Sequence, residues 1–124
     1  MCSLERLVMS KMYICVREGF PDYMTPTLVA HATLRHHRHW HDHVINEDKQ
    51  YKDWLHNSFK KCVVRVNPKE FDKIRKLGET HKMHITESWE NNTLNGEVSC
   101  VTVVVEDDNI PNVLKFAKLW KPLV

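Results

Sequence analysis

The stretch Ser99-Cys100-Val101-Thr102-Val103-Val104-Val105 decides how this chain folds. It has no helical period and no glycine or proline, and its β-branched residues are nearly continuous, so it reads as a strand covered on both faces. Lys61 to Val66 (KCVVRV) has the same character. So does Lys11 to Arg17 (KMYICVR), whose apolar run Met12 to Val16 is ended by Gly19 and Pro21. A third, shorter strand takes Met83, Ile85 and Thr86, and Asn95-Gly96 supplies a turn with positive φ before the valine-rich strand.

The segments between these strands carry helix signals. Thr25-Pro26-Thr27 combines a hydroxyl cap with a proline in the first turn, and Leu28 to Trp40 then runs without a breaker. Val29, Ala32, His36 and Trp40 share one stripe of that helix. Residues 42–50 read as loop, and Tyr51 to Ser58 as a short helix. Asn67-Pro68 starts another helix with Phe71, Ile74 and Leu77 on its buried face and Gly78 as its stop. A last helix follows Pro111 and displays Val113, Leu114, Ala117 and Leu119 or Trp120.

The order is strand, helix, helix, strand, helix, strand, turn, strand, helix. Helical crossovers imply parallel pairing and right-handed connections. The short link before the valine-rich strand turns it against the others. The expected fold is α/β: a three-layer α/β/α arrangement with a four-stranded mixed sheet, last strand antiparallel. At 124 residues the chain makes one domain, 1–124, with residues 1–10 read as a flexible N-terminal extension.

A content of 42% hydrophobic and 27% charged residues is that of an ordinary soluble protein, and no apolar run is long enough to cross a bilayer. The start, Met1-Cys2-Ser3-Leu4-Glu5-Arg6, lacks the pattern of a secretory leader. Cys15, Cys62 and Cys100 fall inside strands, and no two of the four cysteines are spaced like a zinc knuckle or redox pair. Buried free thiols and a cytoplasmic home are expected.

A net charge of +2 does not announce nucleic acid, so distribution matters more. Arg35 and Arg38 lie in a His-rich run, and Lys60 and Lys61 open the second strand. With Trp40 or Trp54 as stacking surfaces, they compose a candidate RNA patch. In the run His36 to His43, His37 with His41 and His39 with His43 have the four-residue spacing of zinc ligands. The plainer reading is a weakly basic helix end that complements the helix dipole, and the arginines repel a cation. No metal and no cofactor are expected.

The element order resembles that of the type 2 peptidyl-tRNA hydrolases, from Lys11 onward. Cys15-Val16-Arg17 is similar to the family's Val-Val-Arg strand end, and Ala30-His31-Ala32 to its Ser-His-Ala helix. Lys60 to Arg65 is similar to its Lys-x-Val-Val-x-Val strand, and Gly96 through Val101 to its final turn and Thr-Val strand. The resemblance implies hydrolysis of the ester joining a peptide to tRNA, without a metal, with His31, Glu87, Ser99 and Asn91 as catalytic residues. Glu87 stands for the aspartate ending the third strand, and Ser99 for the threonine opening the last. Arg17 joins Arg35, Arg38, Lys60 and Lys61 as candidates for nucleic-acid contact.

The chain also departs from the family. Met24 stands about where the family has a lysine, and Trp89-Glu90-Asn91 replaces Gly-Arg-Thr. Only His31, Arg17 or Arg35 can replace the missing positive charge. The expected partner is tRNA or peptidyl-tRNA and not a membrane, and a homodimer is compatible with the sequence. One alternative is a catalytically silent relative that binds tRNA or a protein. The other rests on two His-x-Thr tripeptides, His31-Ala32-Thr33 and His84-Ile85-Thr86, which resemble the paired motifs of two-histidine phosphoesterases.

Overall fold

The valine-rich stretch is the strand next to the edge of a five-stranded mixed sheet. The computed structural model describes residues 9–44, 48–90 and 95–122, with the side chains of His43 and Val44 excepted. The strands are β1 (Ser10–Arg17), β2 (Lys60–Val66), β3 (Ile85–Trp89), β4 (Val98–Glu106) and β5 (Lys118–Leu119). The helices are α1 (Thr25–His39), α2 (Lys49–Asp53), α3 (Pro68–Arg75), α4 (Leu77–Thr80) and α5 (Asn112–Lys115). The strand order is β3-β4-β1-β2-β5. β1 and β2 are parallel, with Ile14 opposite Val63. β4 lies antiparallel to both neighbours, Val101 facing Cys15 on β1 and Glu87 on β3.

Alternation along β1 and β4 sorts their side chains into two apolar clusters. Met12, Ile14, Val16, Cys100 and Val104 pack with Leu28 and Ala32 of α1, Tyr51 of α2, and Trp54. Tyr13, Cys15, Val101, Val103 and Val105 pack with Phe71 and Ile74 of α3, Leu77 of α4 and Leu114 of α5. This two-sided burial is why neither central strand shows a polar face in the sequence. No helix among the described residues is long and apolar enough to cross a membrane.

The Asn67-Pro68 helix start holds as a reciprocal cap. Asn67 accepts from the Glu70 amide at 2.8 Å, and Glu70 accepts from the Asn67 amide at 3.0 Å. Phe71, Ile74 and Leu77 are buried as the spacing implies. Each contributes about 1.5–3 kcal/mol by burial, against about 1 kcal/mol for the cap. Asn67→Ala is therefore expected to cost about 1 kcal/mol, read from the urea midpoint, without loss of fold.

Several expectations need correction. The sheet has five strands, not four, because the segment after α5 is extended. α5 is a single turn, and Lys118–Leu119 pairs antiparallel with Val64 and Arg65. Trp120 donates its amide to the Val63 carbonyl at 2.9 Å, and Arg65 donates to the Lys121 carbonyl at 2.6 Å. Pro122 disfavours a helical Lys121, and the open edge of β2 offers hydrogen bonds that a short helix would lack.

Thr25 is not a cap. It is a buried residue inside α1, which grows from a 3-10 turn at Asp22–Met24 with no side-chain cap. Gly78 lies within α4 rather than stopping a helix. A Cβ there would meet the Met83 carbonyl oxygen at 3.4 Å, which favours the small residue. Asp48 caps α2, whose chain continues as a wider turn over Trp54–Ser58 and ends at Phe59 with φ 54°. Asn95 and Gly96 take φ of 52° and 74°, as the turn chemistry requires.

Candidate active site

α1 packs lengthwise on β3 and β4, so successive turns of the helix meet successive residues of the edge strand. At the far end of β3, His31 Nε2 lies 3.0 Å from Glu90 Oε2. One helical turn further, the Arg35 guanidinium sits 3.9 Å over the Trp89 ring. His39 Nδ1 then reaches Thr86 Oγ1 at 3.4 Å. His31 and Arg35 are four apart on α1 and so share a face, while Trp89 and Glu90 are consecutive. A register irregularity between Ser88 and Trp89 turns Trp89 toward α1, whereas Glu87, two residues earlier, points to α3.

The exposure of the pair is unequal. The His31 side chain is 45% exposed and the Glu90 side chain 14%. A shielded carboxylate thus holds an imidazole that still meets solvent. That arrangement fixes the ring in one orientation. Arg35 Nε is buried and has no hydrogen-bond partner among the described residues. A groove of about 360 Å³ runs beside this constellation, with Arg35, Arg38 and His39 on one wall and Ile85, Thr86 and Trp89 on the other.

The structure redistributes the other candidate residues. β3 runs to Trp89, so the carboxylate at its end is Glu90, and Glu87 is a mid-strand residue. Glu87 accepts from Arg75 Nε at 2.7 Å and Nη2 at 3.3 Å, and this bond pushes the Arg75 guanidinium pKa up. Ser99 is buried and donates to the Ser88 carbonyl at 3.4 Å. Asn91 lies outside the described residues. Neither Glu87 nor Ser99 therefore joins His31.

The basic residues fall in three places. Arg35 and Arg38 border the groove. Arg17 ends β1, stacks 4.9 Å over Phe20 and lies 3.7 Å from Glu97 in a separate cleft. Lys60 and Lys61 open β2, about 20 Å of strand from the Arg17 end. There Lys61 Nζ donates to the Phe59 carbonyl at 2.7 Å and covers the Phe59 ring at 3.3 Å. A single patch through all five does not form.

The two His-x-Thr tripeptides do not face one another. His31 is helical, whereas His84 precedes β3 and bonds Asp48 at 3.0 Å. The whole of β3 separates Glu90 from His84, about 20 Å. In the histidine run, His37 bonds the Tyr51 hydroxyl at 3.0 Å and His41 bonds Asp42 at 3.1 Å. The His43 side chain lies outside the described residues. Among the described residues no three metal-ligating side chains converge.

His36 is buried and bonds Thr102 Oγ1 at 2.8 Å, while the Thr102 hydroxyl reaches the Thr86 carbonyl at 3.4 Å. All three groups are satisfied together when Nδ1 carries the imidazole proton. Burial lowers the His36 pKa to about 4, against the opposing pull of Asp48. Cys15 and Cys100 are buried free thiols and Cys62 is half-buried. Burial pushes all three thiol pKa values up, that of Cys100 to about 12, which disqualifies them as nucleophiles.

In the sequence Trp89 and Glu90 stand out only as departures from the family's Gly-Arg-Thr, and nothing singles out Arg75. The four-residue spacing of His31 and Arg35 is the signal that could have drawn attention to Trp89 and Glu90. No known family model and no curated protein matches the chain.

Proposed function

We propose that the chain is a metal-independent esterase of the peptidyl-tRNA hydrolase kind, working in the cytoplasm on peptidyl-tRNA. The observation that carries this reading is the solvent-facing His31 held by the shielded Glu90 at the end of β3. The parallel β1–β2 pair and the antiparallel β4 agree with the scaffold expected from the element order. The two apolar clusters support a three-layer α/β/α arrangement around the sheet.

In this chemistry Glu90 accepts a hydrogen bond from Nε2–H of neutral His31, which leaves the Nδ1 lone pair as the base. His31 takes a proton from water, and the water oxygen attacks the acyl carbon of the ester. The ribose oxygen leaves and receives that proton, giving a peptide acid and free tRNA. Arg35, on the next turn of α1, supplies the positive charge for the developing oxyanion or the neighbouring phosphate. It takes the place of a lysine at the position that Met24 occupies.

The experiment is release of labelled peptide from peptidyl-tRNA by the purified chain, alongside gel retardation of tRNA over a salt series. Turnover supports the esterase. Salt-sensitive retardation without turnover would leave a tRNA-binding relative in its place. Glu87→Gln, which breaks only the half-exposed pair with Arg75, is expected to change release by less than about twofold. Its cost in stability is at most about 1 kcal/mol, because solvent screens both groups.

A further inference from the structure

The geometry points to the groove between α1 and β3 as a seat for an extended peptide that adds to the sheet as a sixth strand. This inference rests on the esterase reading and assigns the peptide portion of its substrate. β3 stands at the end of the strand order and pairs only with β4 among the described residues. Alternate residues of such an edge turn their N–H and C=O groups away from the sheet, where no strand among the described residues bonds them and another chain can. α1 walls the same side, so an incoming strand is confined between main chain on one side and Arg35 and Arg38 on the other.

The substrate chemistry calls for this mode of recognition. The peptide on a tRNA has no fixed sequence, and main-chain bonding is indifferent to side chains. β3 spans about 16 Å, room for about five residues of an extended peptide. The dyad sits at the Glu90 end, so the peptide lies parallel to β3 with its carboxyl end at His31. Arg35, beside Trp89, then meets the ester or the product carboxylate. Of the acids bordering the groove, Glu87 is engaged by Arg75, and Asp42, beside His41, faces two arginines, so the groove carries an excess of positive charge.

The test uses acetyl-pentaalanine with a free carboxylate and two N-methylated forms, blocked at the odd or at the even amides. Binding is followed by amide resonances of the full chain and by titration. Only alternate amides of an added strand bond the edge. One methylated form is therefore expected to bind at least about tenfold more weakly than the other. The shifts should fall on Ile85 to Trp89, and Arg38→Ala should weaken binding of the parent peptide. Equal affinity of the two methylated forms, shifts absent from β3, or no binding of the parent peptide at millimolar concentration would overturn the inference. Phase-dependent binding without release of peptide from peptidyl-tRNA supports the groove and removes the esterase. Release with no phase dependence removes the groove and keeps the esterase.

Discussion

His31→Ala is expected to lower peptide release by about 10²–10⁴-fold, the range in which a positioned general base contributes. The loss should appear in kcat more than in KM, because the base acts on water and does not grip the tRNA. Stability should barely move. His31 is half-exposed, and a surface substitution of this kind shifts unfolding by about 0.5 kcal/mol or less. Glu90→Gln keeps a hydrogen-bonding group beside the ring but removes the charge that stabilises the imidazolium. It should fall between the wild type and His31→Ala. Steady-state kinetics on peptidyl-tRNA with parallel urea unfolding separates these effects. A His31→Ala chain with full turnover would sink the mechanism.

Acid is expected to destabilise the fold through His36. Its folded pKa, about 4, lies below the ordinary value of 6.5. Between those values the unfolded chain binds a proton that the folded chain does not. Stability therefore falls as pH drops through 6.5 toward 4, and below that range this group causes no further loss. The shift corresponds to about 3 kcal/mol between neutral pH and pH near 4. Other groups titrate in the same window, so the measurement is a difference. Urea unfolding of the wild type and of His36→Gln is compared at both pH values. The variant starts less stable, because the Thr102 bond and the stacking on Tyr51 at 4.9 Å are disturbed. It should lose about 3 kcal/mol less on acidification. Parallel losses in the two proteins would show that His36 is not the group responsible.

What the sequence reveals depends on how local the signal is. β1, β2 and β4 declare themselves because an unbroken apolar run has few other fates. The Asn67 cap and the Asn95-Gly96 turn follow from side-chain chemistry within a few residues. β3 is harder to read, since its apolar character stops at Ile85. The buried Thr86 and Ser88 lie under α1, so hydrophobicity alone ends the strand too soon, and the residue that follows its true end is Glu90. β5 depends on a partner more than fifty residues away, and nothing in Lys118–Leu119 itself announces it. The split of Arg17 and Lys60 from Arg35 is likewise a matter of sheet topology. Charge clusters in a sequence carry no information about which end of a strand they occupy.

The two rims of the sheet are finished differently. On one side β5 and the Trp120 amide occupy β2 from Val63 to Arg65, and Lys60 and Lys61 charge the remainder. The rim at β3 has no such cover among the described residues. Two copies joined through this rim would pair β3 against β3, a reciprocal contact related by a two-fold axis. Such an assembly closes at two copies and cannot grow into a filament. It would also hide the strip that borders His31, so pairing of copies and access to His31 would exclude one another.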